Sequence, residues 1–153
     1  MKTIRLGLLC LLAAVPSVAF GLVPPPEAQV LETVNSTFNG ELFVMDYSGT
    51  RYLLAQSKWG VVLQSTFNLQ EKQTITLDYL QIMAILTGLH PGPSSVFNLG
   101  MGGGALPRFH LGQFAKSKID SAEIDPAIIR LAQKYFFVAD GRHRIIQGDG
   151  FEV

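Results

Sequence analysis

Three short stretches of this chain carry residues whose types and spacing could act together on one ligand. The first is the run Gly100-Met101-Gly102-Gly103-Gly104. Glycines let a backbone turn tightly and approach a bound molecule closely, and a helix starting just after them presents unpaired N–H groups to it. The second is Glu123, nineteen residues after Gly104. A carboxylate at that offset from a glycine turn can accept both hydroxyls of a ribose. The third is Gly148-Asp149-Gly150, whose carboxylate could accept a hydrogen bond from the exocyclic amine of an adenine. Each feature alone is ambiguous. A glycine run is often only a tight connection, an Asp between glycines is commonly a turn residue, and Asp125 is as readily a helix cap as a ligand contact. In this order and spacing, the set favours a nucleoside carrying an adenosyl-ribose unit.

These residues need elements to hold them. Val96-Phe97-Asn98-Leu99 before the glycines reads as a strand, and Ala105 to Gln113 after them as a helix, with Pro107 tolerated in its first turn. Ile119 to Ile124 reads as a second strand. Asp125-Pro126 is a strong helix start, and Ile128, Leu131, Ala132, Tyr135 and Phe136 follow with helical period. Arg144-Ile145-Ile146-Gln147 reads as a third strand. The expected fold class is therefore α/β. Residues 96–148 form β-α-β-α-β, the first half of a doubly wound, Rossmann-like parallel sheet, and the candidate residues fall at the carboxyl ends of its strands, where such sheets bind ligands.

Upstream, residues 36–66 read as a small β-meander: Glu41 to Tyr47, a Ser48-Gly49 turn, Arg51 to Leu54, and a strand from Gly60 to Ser65. Thr76 to Thr87 reads as a helix capped by Thr76 and ended by Gly88, with Leu77, Leu80, Met83, Ala84 and Leu86 as its apolar side. Gly100, Gly102 and Ala105 also fit the dinucleotide pattern G-x-G-x-x-A. A dinucleotide-dependent oxidoreductase is thus a competitor, although the preceding meander and Asp149 are not explained by it.

The run from Val96 to Arg108, the motif Glu123-Ile124-Asp125-Pro126 and the motif Gly148-Asp149-Gly150 together resemble the spermidine synthase-like family. These proteins have the class I S-adenosylmethionine-dependent methyltransferase fold. The resemblance spans about residues 36–153. It implies a transferase of an aminopropyl or methyl group, using decarboxylated S-adenosylmethionine or S-adenosylmethionine as donor, with a polyamine as an acceptor and no metal. It implies that Gly100, Gly102 and Gly104 line the amino-acid end of the nucleoside and that Glu123 binds the ribose. Asp125 would lie beside the adenine, and Asp149 with Gly150 would bind its amine. Gln64 and Tyr79 would close the pocket from the meander side, Tyr79 as a substrate-binding residue. The chain departs from the family at Ala105, where an aspartate would hold the donor's amine, and at Gln81, where the family has a glutamate. The family's catalytic aspartate follows a fourth strand and is expected beyond Val153, so the chain reads as a fragment. A non-catalytic exported binding or scaffold protein on the same fold is the alternative.

Composition removes other classes. Twelve Lys and Arg against twelve Asp and Glu leave no basic excess for a nucleic-acid backbone. One cysteine excludes a disulfide framework, and His90, His110 and His143 lack paired metal-ligand spacing. A homodimer stays open. At the N-terminus, Lys2 and Arg5 precede the apolar run Leu6 to Val15 and a Ser17-Val18-Ala19 site, the order of a cleaved secretory signal. The expected organisation is a signal peptide over 1–19, a leader or linker over 20–35, a β-domain with its connecting helix over 36–90, and an incomplete adenosyl-binding domain over 91–153. Export to a periplasmic or extracellular space follows from this, with an N-terminal membrane anchor as the alternative.

Overall fold

The computed structural model describes residues 24–90, 92–136 and 141–153. The signal peptide, its cleavage after Ala19 and the anchor alternative lie outside these residues. The elements are β1 (Gln29–Ser36), β2 (Gly40–Tyr47), β3 (Thr50–Ser57), β4 (Gly60–Asn68), α1 (Asp78–Gly88), β5 (Ser95–Leu99), α2 (Ala105–Gln113), β6 (Lys118–Glu123), α3 (Pro126–Tyr135) and β7 (His143–Gln147). They form an antiparallel sheet β1-β2-β3-β4 and a parallel sheet β5-β6-β7.

The meander turns where expected at Ser48-Gly49. Both residues have positive φ, 48° and 74°, a twist that suits a two-residue hairpin. It begins earlier than expected, however. The sequence reads as a leader or linker over 20–35, yet Gln29–Ser36 is a strand paired antiparallel with β2. The proline run before it suggested a linker, and an irregularity at Leu31, between Val30 and Glu32, breaks the alternation that marks a strand. Leu31 and Val34 consequently both pack against the core.

That core is the contact between the two sheets' units. Leu42, Val44, Leu53, Ala55 and Phe67 of the meander meet Ile128, Leu131 and Ala132 of α3, together with Met101 and Phe136. The helical period read from Ile128 onward is therefore the face α3 turns to the meander. Phe67 and Phe136 meet edge to face, with ring centres 6.3 Å apart. Ion pairs reinforce the contact. Glu32 of β1 receives Lys134 (2.8 Å), the Tyr135 hydroxyl (2.7 Å) and Arg130 (2.7 Å). Arg51 is held bidentately by Asp46 and donates to the Tyr135 carbonyl (2.8 Å).

α1 starts at Asp78, and Thr76 does not cap it. The Thr76 hydroxyl is paired with that of Thr66 in β4, so the N-cap position falls to Leu77, which has no side-chain bond to offer. The inner side of α1 meets α2 through Ala84 and Leu106, joined by Ile75, Leu80, Met83 and Phe109. Its outer side leaves Ile82 and Ile85 exposed together with Leu86, which the sequence puts on the packed side, and Leu89 just past its end is exposed as well.

Candidate nucleoside site at the glycine loop

The glycine loop bridges the end of β5 and the start of α2. Gly100, Gly102 and Gly104 have φ of 81°, 54° and 72°, the left-handed region that glycine occupies at little cost. Gly103 is required for a different reason: a Cβ there would stand 2.6 Å from Ser65 Oγ, 2.8 Å from Ser65 Cβ and 3.0 Å from the Phe136 ring. The loop is thus pressed directly onto β4. Gln64 sits at that contact. Leu53 pairs with Ser65 and Leu54 with Leu63, so Gln64 is the extra residue of a β-bulge, a device that re-aims a strand beside a site. Its carbonyl faces Gly102, 3.2 Å from where a Cβ would lie.

Glu123 ends β6 and is buried. Its Oε2 accepts the amides of Met101 (3.0 Å) and Gly102 (3.3 Å), and its Oε1 accepts the amide of Asp125 (3.1 Å). An ionised carboxylate has about four acceptor positions. Three are filled by backbone, so the group is already oriented, and capacity for a hydroxyl remains.

Asp125 is 1 % exposed and serves first as the cap of α3, accepting the Ala127 amide at 2.9 Å. Its other oxygen accepts the Ser36 hydroxyl and the Asn39 amide (2.6 Å), both from the β1–β2 turn. Burial would raise this carboxyl, but the bonds from Ser36, Asn39 and the Ala127 and Ile128 amides outweigh it and hold the group below its ordinary value. Expected beside an adenine, Asp125 has its oxygens taken up by the protein itself. Asp149, just past β7, is exposed, and its Oδ1 accepts the Phe151 amide at 3.0 Å, a local turn. Gly150 lies against Leu99 and Ala122, which brings the ends of β5, β6 and β7 together. Tyr79 stands in the first turn of α1, partly exposed, with burial pushing its phenol up. Among the described residues, the hydrogen-bonded group around Glu123 does not include it.

The sequence reasoning missed Arg108. Its guanidinium lies over the Phe67 ring at 4.5 Å and donates to the carbonyls of Lys72 (2.8 Å), Phe136 (3.1 Å), Gly103 (3.3 Å) and Gly104 (3.4 Å). Burial pulls it down to about 10. It grips the glycine loop from the side of α2. A signal existed: a long side chain one turn into a helix leans back over the preceding turn. Gln81, at a position where the resemblance puts a glutamate, donates to the Ile75 carbonyl at 2.9 Å and so braces the entry to α1. Among the described residues, no group of three His, Cys, Asp or Glu side chains could hold a metal ion.

An antiparallel meander packed on a β-α-β-α-β unit, with a glycine loop and a strand-end glutamate, defines a spermidine synthase-like fold of the class I S-adenosylmethionine-dependent methyltransferase type. Known proteins agree. The chain is 28% identical over 112 residues to a polyamine aminopropyltransferase of Vibrio vulnificus, a match covering 71% of this chain and 37% of that one. It is 38% identical over 61 residues to the eEF1A lysine and N-terminal methyltransferase of Mus musculus, covering 39% of this chain and 9% of that one. Among solved structures, a probable spermidine synthase from Corynebacterium glutamicum superposes with a TM-score of 0.61 at 18% identity, covering 82% of this chain and 46% of that one. The spermidine synthase of Thermotoga maritima gives 0.61 at 19% identity, covering 81% and 42%. No family model matches the chain. The chain spans well under half the length of the relatives it matches.

Proposed function

We propose that this chain is the nucleoside-binding portion of a transferase that uses S-adenosylmethionine or its decarboxylated form, moving an aminopropyl or methyl group, with a polyamine as the acceptor in the first case. The observation that carries this reading is Glu123: a buried strand-end carboxylate, pre-oriented by three backbone amides, beside a glycine loop. Such a group can accept one ribose hydroxyl at its remaining acceptor position with little reorganisation. Calorimetry tests it. S-adenosylhomocysteine should bind better than a nicotinamide dinucleotide, and Glu123→Ala should weaken that binding by about 1–3 kcal/mol, the scale of a charged hydrogen bond lost from a pocket. Tighter dinucleotide binding, or indifference to the Glu123 change, overturns the assignment.

A second reading, ligand binding without turnover, is favoured by one observation. Both oxygens of Asp46 are held by Arg51, and both oxygens of Asp125 are held by the Ala127 amide, Ser36 and Asn39, so these two carboxylates are committed to the protein rather than turned to a substrate amine. Chromatography of polyamine products from decarboxylated S-adenosylmethionine and putrescine separates the two. For the N-terminus, the proposal is a cleaved export signal, supported by the order of charge, apolar run and small residues. N-terminal sequencing should find a mature chain beginning at Phe20, and an intact Met1 in a membrane fraction would support the anchor instead.

A further inference from the structure

We propose that the β1–β2 turn belongs to the site: Ser36 and Asn39 are positioning residues that, through Asp125, hold Glu123 and the glycine loop in their binding geometry.

The inference starts from an excess. Capping α3 requires only one oxygen of Asp125, and Oδ1 does it by accepting the Ala127 amide. The second oxygen is committed to a partner 86–89 residues away in the chain, the turn that carries Ser36 and Asn39. The turn is built for the contact. Ser36 Oγ accepts the amides of Phe38 and Asn39, each at 3.0 Å, which folds the turn around that hydroxyl, and the hydroxyl's single proton is then donated to Asp125. Asp125 is almost wholly buried, and a buried carboxylate must be satisfied or it costs stability.

From there the chain of bonds runs straight to the candidate ligand group. The Asp125 amide donates to Glu123 Oε1, and Glu123 Oε2 holds the amides of Met101 and Gly102. Turn, helix cap, strand end and glycine loop form one hydrogen-bonded series. β4 presses on the same loop at Gly102 and Gly103, so the meander grips the site at two places. A plain helix cap would require neither the turn nor its serine. The arrangement makes the meander's docking a condition for a correctly aimed Glu123.

The test uses the full chain with Ser36→Ala, Asn39→Ala and, as the conservative control, Ser36→Thr. Amide hydrogen exchange is followed without ligand at Met101 and Gly102, with Leu53 and Phe67 in the meander core as references. Exchange at Met101 and Gly102 should rise roughly tenfold in the alanine variants, the scale of one lost hydrogen bond, while the references change by less than about twofold. Ser36→Thr, which keeps the hydroxyl, should behave as the parent does. The inference is overturned if the loop amides do not respond, or if all amides accelerate together, which is what a contribution to global stability alone would produce. A ligand arm rests on the transferase reading: affinity for S-adenosylhomocysteine should fall roughly tenfold with Asn39→Ala. If the parent chain binds no adenosyl ligand yet its loop amides respond, the positioning network stands and the transferase reading falls.

Discussion

Arg108 and Gly103 show how little freedom the glycine loop has. Arg108 puts a half-buried cation against four backbone carbonyls, and those of Gly103 and Phe136 lose this part-buried donor if the guanidinium is removed, whereas Gly104 keeps the Arg108 amide. Arg108→Leu should therefore cost about 1–3 kcal/mol in urea unfolding, the usual penalty for unpairing buried polar groups, even though leucine can still pack on the Phe67 ring. Gly103→Ala forces Ser65 and Phe136 apart and should cost about 1–3 kcal/mol, the range for overpacking. The same variant should weaken nucleoside binding, because β4 and the loop can no longer touch where they do now.

At the scale of elements, the decisive contact is α3 on the meander. Its apolar half is Leu131, fully buried against the meander cluster, and Leu131→Ala should cost about 2–5 kcal/mol by chemical denaturation. Its polar half is Glu32. The Lys134 ammonium first, then the Tyr135 hydroxyl and the Arg130 guanidinium, hold this carboxyl down to about 2. A depressed carboxyl contributes stability above its unfolded value of roughly 4.3, and that contribution is lost as pH falls through the folded value. Thermal unfolding followed between about pH 5 and 2 should thus show a decline that Glu32→Gln removes in part. The group is on the surface, so added salt should shrink the difference.

For the molecule as a whole, the notable surface is apolar and uncovered. Parallel sheets ordinarily have both faces covered. Here Phe97 and Leu99 of β5 are 52% and 58% exposed, and α1 adds Ile82, Ile85 and Leu86, with Leu89 just past its end. Among the described residues, β5 is also an edge of its sheet. Such surfaces promote association. Sedimentation velocity on the chain from Phe20 should detect concentration-dependent association, which Ile85→Glu with Leu89→Glu should reduce. A strictly monomeric parent across the accessible concentrations would refute this expectation.

The sequence alone determined the parallel half and the place of its site. Asp125-Pro126 with the helical period after it, and the glycine run between a strand and a helix, are local signals. They report local chemistry: a cap, a fixed φ, a turn only glycine makes easily. β1 escaped because the irregularity at Leu31 shifts its alternation and leaves no period to read. Thr76 was an adequate cap until Thr66 claimed its hydroxyl, a competitor ten residues away that no local rule weighs. The partners of Asp125, the pressure of Ser65 on Gly103 and the bulge at Gln64 arise between segments distant in the chain. Hydrogen bonds and van der Waals contacts act over a few ångströms. Which distant groups come within that range is decided by the packing of the meander on α3, and therefore only by the tertiary structure.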